Sequence, residues 1–153
     1  MGIEKYADNL GSPDIKLNGL QIWIHSRQFL DAEDYWDGNW LNVTAHCGTH
    51  GADVWTTGAI LRIPDIAGWL VALEEMNRSL SGEANLVSLE PDLSVELSMS
   101  ELGHVAMTVE ITPDHMNQKH SFQFELDQSY LAGLITSCRG VLEKYPIKDK
   151  PEA

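Results

Sequence analysis

The feature that most constrains this chain is a change of period. Residues 64–80 carry apolar side chains at Ile66, Trp69, Leu70, Leu73, Met76 and Leu80, mostly three or four positions apart. The stretches on either side alternate instead: Leu20, Ile22 and Ile24 against Gln21, Trp23 and His25, and Leu93, Val95, Leu97 and Met99 against Ser94, Glu96 and Ser98. A period near 3.6 gives one apolar stripe on a helix, and a period of 2 gives one apolar face on a strand. The chain therefore reads as a helix set among half-buried strands. Pro64 suits the first turn of that helix, where its missing N–H is not needed, and Gly82 is the expected left-handed stop.

The remaining elements follow from the same signals. Asn18-Gly19 separates the apolar runs 15–17 and 20–25 and favours a tight hairpin, because both residues tolerate positive φ. Strands are predicted over 40–47 and 52–62, with Gly58 a candidate bulge, then over 84–89, 93–99, 104–111 and 119–126, joined by short turns. Asp127 is the predicted N-cap of a last helix whose stripe is Tyr130, Leu131, Leu134, Ile135, Cys138, Val141, Leu142 and Tyr145, ended by Pro146. No internal repeat and no linker interrupts the pattern. The expected fold is α+β in one domain over 1–153: a twisted antiparallel sheet of about seven or eight strands, one inserted helix and one C-terminal helix. A two-layer β-sandwich with peripheral helices is the alternative. The ends, 1–14 and 148–153, are expected to be loosely ordered.

Charge limits the partners. The chain has 23 Asp and Glu against 10 Lys and Arg, a formal net charge of -13, and its cations are scattered apart from Lys144, Lys148 and Lys150. Such a field repels nucleic acid and anionic lipid and attracts a basic partner. The apolar stretch 66–73 stops at Glu74 and Glu75, far short of the ~20 residues a membrane span needs. The start, Met-Gly-Ile-Glu-Lys-Tyr, lacks a basic and then apolar leader pattern. The expected location is the cytoplasm, with no membrane partner, and Cys47 and Cys138 are accordingly expected to be reduced thiols. The sequence leaves the oligomeric state open.

Several constellations invite chemistry. His46, Cys47, His50 and Asp53 lie within one short segment and could chelate zinc through a turn. If the strand continues through them, however, His46 and Cys47 point to opposite faces, and no second His or Cys pair lies nearby. The nucleophile elbow, phosphate loop, dinucleotide fingerprint and His-Glu-x-x-His motifs do not occur. Tyr35, Trp36 and Trp40, with Trp23, Trp55 and Trp69, could instead form a stacking platform for a sugar or small molecule, although burial of such large rings contributes more to a core.

The order Asp34-Tyr35-Trp36-Asp37-Gly38-Asn39-Trp40-Leu41, then the Leu-rich helix, then Leu93-Ser94-Val95-Glu96-Leu97, and finally Phe124-Glu125-Leu126-Asp127-Gln128-Ser129-Tyr130-Leu131 before a helix ending Tyr145-Pro146-Ile147, resembles the WapI-type bacterial immunity family. The resemblance runs from about Leu20 to Ile147. It implies a small cytosolic antitoxin that binds a cognate contact-delivered toxin, typically a nuclease, with no catalytic residues and no cofactor to carry over. The alternatives are a carbohydrate or small-molecule module using the Trp residues, and a metal-dependent enzyme at His46 and His50.

For the immunity reading, the expected docking surface on a basic toxin domain is the loop over residues 30–38. It joins the acids Asp31, Glu33, Asp34 and Asp37 to Tyr35 and Trp36 without helical or strand periodicity. Tyr35 is expected to be the exposed anchor, with Trp36 and Trp40 in the core.

Overall fold

The computed structural model describes residues 10–149. β1 (Ile15–Leu17) and β2 (Leu20–Arg27) form the predicted hairpin, pairing Ile15 with Ile22 and Leu17 with Leu20 around Asn18, whose φ is 52°. β3 (Trp40–Thr49) and β4 (Ala52–Arg62) extend it into a four-stranded antiparallel meander, followed by α1 (Ile63–Ser79). The chain then repeats the plan: β5 (Gly82–Leu86), β6 (Leu93–Met99), β7 (His104–Ile111) and β8 (Ser121–Asp127) make a second meander, followed by α2 (Ser129–Lys144). The fold is doubled although the sequence is not.

The single wide sheet expected from sequence is therefore two sheets of four strands. Alternation tells which face of a strand is apolar, not which neighbour it pairs with. α1 parts β4 from β5, and the two apolar sheet faces then cover each other where β3 and β4 meet β7 and β8. α1 packs on β5 and α2, while α2 also reaches β1 and β8. One continuous core results, with Ile22, Val43, Trp69, Leu73, Val95, Val109 and Leu134 among its members.

Four local details differ from the sequence reading. α1 ends at Leu80, which takes the left-handed conformation (φ 57°) while its N–H donates to the Met76 carbonyl at 2.8 Å, so the stop falls before Gly82. Gly82 instead begins β5, which ends at Leu86 and leaves Val87 and Leu89 exposed. The irregularity in β4 lies opposite Leu41 and Asn42, whose partners are Leu61 and Ala59, so Ile60 rather than Gly58 is the extra residue. The N-cap of α2 is Gln128, without a side-chain cap, rather than Asp127; Asp127, one residue earlier, accepts from the Ser129 N–H at 2.8 Å, and its carboxyl is held below the usual range, first by the Ser129 hydroxyl.

Of the ends expected to be loose, residues 1–9 and 150–153 lie outside the described residues. Gly11 accepts from the Trp23 indole at 3.0 Å, and the Asp14 carboxylate accepts from the Ile24 N–H at 2.7 Å.

Candidate functional site

The β2–β3 connection, residues 28–39, is built around side chains that reach it from elsewhere. Arg27, at the end of β2, donates to the Gly38 carbonyl at 2.8 Å and to the Pro146 carbonyl at 2.5 Å. Asn39 is fully buried, and its amide donates to the carbonyls of Tyr35 (2.7 Å) and Lys148 (3.0 Å) while accepting from the Lys148 N–H (2.9 Å). The Lys148 ammonium donates to the carbonyls of Ala32 (2.9 Å) and Leu30 (3.3 Å), with Glu33 at 3.5 Å. Gly38 is required by space, because a Cβ there would stand 2.5 Å from the Asp34 carbonyl oxygen. A loop usually leaves such backbone groups to water; here the side chains of Arg27, Asn39 and Lys148 occupy them.

Arg62, the last residue of β4, lies beneath the loop and is only 5% exposed. Its guanidinium donates to the Tyr35 carbonyl at 2.8 Å and faces the rings of Trp36 (4.7 Å), Tyr35 (5.0 Å) and Trp40 (5.8 Å). A planar, weakly hydrated cation suits aromatic faces in this way. Its Nε finds no partner. Asp65, one turn into α1, accepts from the Arg62 N–H at 2.8 Å, and burial, the largest influence on it, pushes its carboxyl upward.

The predicted acids all face outward: Asp31, Glu33, Asp34 and Asp37 are exposed, and Asp34 also accepts from the Asp37 N–H at 3.0 Å. Tyr35 is half-buried. Trp36 is 62% exposed, which overturns its expected place in the core. One face of its ring rests on the Arg62 guanidinium, which is itself buried. Trp40 is half-buried. The sequence did not mark Arg27, Asn39, Arg62 or Lys148 as residues that hold this loop: Asn39 stands only within the motif from Asp34 to Leu41, Lys148 only among the cations gathered at 144–150, and the two arginines only as scattered charges.

The residues of the competing site do not converge. His46 spans Gln21 (3.1 Å) and Asp53 (2.6 Å) on one face of the sheet and touches the Trp55 ring, at 4.3 Å between centroids. Cys47 is buried on the other face, its thiol pushed up to about 12 by desolvation, and His50 lies exposed in the β3–β4 turn. Among the described residues no group of three or more His, Cys, Asp or Glu could hold a metal. Cys138 is likewise buried and unbridged. The tryptophans are not one platform: Trp69 is core, Trp23 stacks on Trp55 at 5.8 Å, and Trp36 meets Tyr35 edge-on at 83°.

The 28–39 loop is thus an acidic and aromatic surface segment tied into a doubled meander-and-helix fold. The chain belongs to the Immunity protein WapI-like family, whose pattern it matches over residues 13–146. No curated protein sequence matches it. Among solved structures it is similar in fold to the plant transcriptional regulator PBF-2, with a TM-score of 0.51 at 9% identity over 82% of this chain and 75% of that one. WHY1 from Arabidopsis thaliana gives 0.47 at 12% identity over 84% and 78%. Among the described residues no helix is long and apolar enough to cross a membrane.

Proposed function

We propose that this protein acts in the cytoplasm as an immunity protein, neutralising a basic toxin domain, most simply a nuclease, by docking the 28–39 loop onto it. No reaction and no cofactor are involved. The observation that carries the reading is Trp36: an indole 62% exposed and seated on a buried guanidinium, in a loop whose Asp31, Glu33, Asp34 and Asp37 are all exposed. An aromatic side chain already fixed in place loses little freedom on binding, and such residues anchor interfaces. The acids around it, within a chain of net charge -13, mimic the charge of a nucleic-acid substrate and speed encounter with a basic domain, toward roughly 10⁸–10⁹ M⁻¹s⁻¹ at low salt.

The test is Trp36→Ala, assayed against basic toxin domains encoded by genes neighbouring that of this chain. The expected variant stays folded, losing only about 1 kcal/mol of stability with the cation–π contact, and binds at least ~30-fold more weakly, since anchors contribute about 2 kcal/mol or more. Unchanged affinity would remove the loop from the interface.

A further inference from the structure

A docking surface needs more area than one loop offers. A specific complex of ordinary size takes roughly 20–30 residues from each partner, and residues 28–39 supply roughly half of that. A neighbouring segment has to complete the contact, and the fold places one on each side. On one side lies the segment after α2, where Lys148 ties the loop and Lys144 is exposed. Two cations make that side the less favourable one for a basic domain. On the other side lies the β5–β6 connection, residues 87–92.

Topology brings that connection to the loop. α1 starts directly after Arg62, the residue beneath Trp36, and carries the chain about 25 Å away at 1.5 Å per residue. β5 packs on α1, and the return is complete at Ser88, whose hydroxyl donates to the Ile60 carbonyl at 2.6 Å, two residues before Arg62. The connection then follows the free edge of β4, where the Thr56 hydroxyl donates to the Asp92 carboxylate at 3.3 Å. The Glu90 N–H donates to the Ser88 hydroxyl at 3.2 Å, and the Thr112 N–H to the Asp92 carbonyl at 2.9 Å.

These bonds hold the backbone and leave the apolar side chains out. Val87 is 64% and Leu89 67% exposed, with Glu90 exposed beside them. A lone exposed leucine is ordinary. Here two aliphatic side chains and an acid stand on a segment fixed in advance, next to a loop of the same make: apolar contact flanked by negative charge. We propose that Val87, Leu89 and Glu90 form the second half of the docking surface, an inference that rests on the immunity role of the 28–39 loop. One basic toxin domain then spans Trp36 and the β5–β6 connection, with the end of β4 between them. It sets an apolar patch on Val87 and Leu89 and turns its cations to Glu90 and the loop acids.

The test compares Val87→Ser with Leu89→Ser as a double variant, Trp36→Ala, and Leu102→Ser with wild type. The measurement is dissociation from basic toxin domains encoded by genes neighbouring that of this chain. Leu102 is fully exposed in the β6–β7 turn, at the opposite end of β6, and serves as the apolar control. The double variant should keep its far-ultraviolet spectrum and thermal midpoint, because both side chains already face water. It should dissociate about tenfold or more faster, and Leu89→Ser alone carries the test if the double variant unfolds. Leu102→Ser should dissociate as wild type does; a loss equal to that of the double variant overturns the proposal. A loss seen in only one of Trp36→Ala and the double variant overturns a joint surface, and when that one is Trp36→Ala the role of the loop stands. If neither loosens the complex, or wild type binds none of these domains, the role of the loop falls and the proposal with it.

Discussion

The two long connections of this molecule are built in opposite ways. The 28–39 loop is tied by residues from far along the chain: Arg62 beneath it, and Lys148 and the Pro146 carbonyl from beyond α2. The 112–120 loop of the second meander is tied mainly to itself. Asp114 accepts from the Asn117 amide at 2.9 Å and from the Met116 N–H at 3.2 Å, and the Gln118 N–H returns to the Asp114 carbonyl at 2.9 Å. Both loops are exposed and both carry an exposed apolar residue, Trp36 in one and Met116 in the other. The difference is that a locally closed turn keeps only its own shape, whereas a loop fastened to the core keeps its orientation relative to the whole protein. Orientation fixed in advance is what a docking surface needs, because it lowers the ordering cost of binding.

Substitutions can break this contrast. Arg62→Ala should have the largest effect, about 2–4 kcal/mol in urea unfolding, because it empties the space under three aromatic rings, removes one of the two donors to the Tyr35 carbonyl and takes the cation from beside Asp65. Arg62→Lys should recover only part of the loss, since an ammonium cannot lie flat among the rings. Asn39→Ala should cost about 2–3 kcal/mol by leaving the Lys148 carbonyl and N–H unpaired and removing one of the two donors to the Tyr35 carbonyl. Gly38→Ala should cost about 1–3 kcal/mol, because the added methyl meets backbone rather than a side chain that can yield.

In the other loop the expected effect is smaller and depends on pH. The Asp114 carboxyl is held below its ordinary value, first by the Asn117 side-chain amide. The folded state therefore binds this proton less readily than the unfolded chain. Its contribution is present above the unfolded pKa of about 3.9 and fades as pH falls through the lower folded value. Asp114→Asn should flatten this part of the acid limb and leave neutral-pH unfolding nearly unchanged; an equal acid slope for variant and wild type would refute the assignment.

The sequence made the elements legible and left their assembly obscure. The Asn18-Gly19 hairpin and the apolar stripes of α1 and α2 are local, and each is where the pattern places it. The division into two sheets depends on pairing between distant strands, which alternation cannot specify. The same holds within the loop. Its acids and aromatics are contiguous and stand out, yet the exposure of Trp36 is decided by Arg62, which occupies the space below it, and by Asn39 and Lys148, which close the loop behind it. Those residues are separated along the chain and chemically unremarkable one by one. Leu80 shows a milder case: helix contacts ending at Met76 set the left-handed stop, and a leucine accepts it before the nearby glycine is reached.

The central claim is that the exposed acids of the tied loop steer a basic toxin domain onto Trp36. Its most direct test is the association rate of the Asp31→Ser, Glu33→Ser, Asp34→Ser triple variant with that toxin domain, measured across a series of salt concentrations. The three carboxylates are solvent-exposed, so unfolding should shift by no more than about 1 kcal/mol for each. The account predicts slower association at low salt and a flatter salt dependence, with the two proteins converging as screening increases. An association rate equal to wild type at every ionic strength would contradict it.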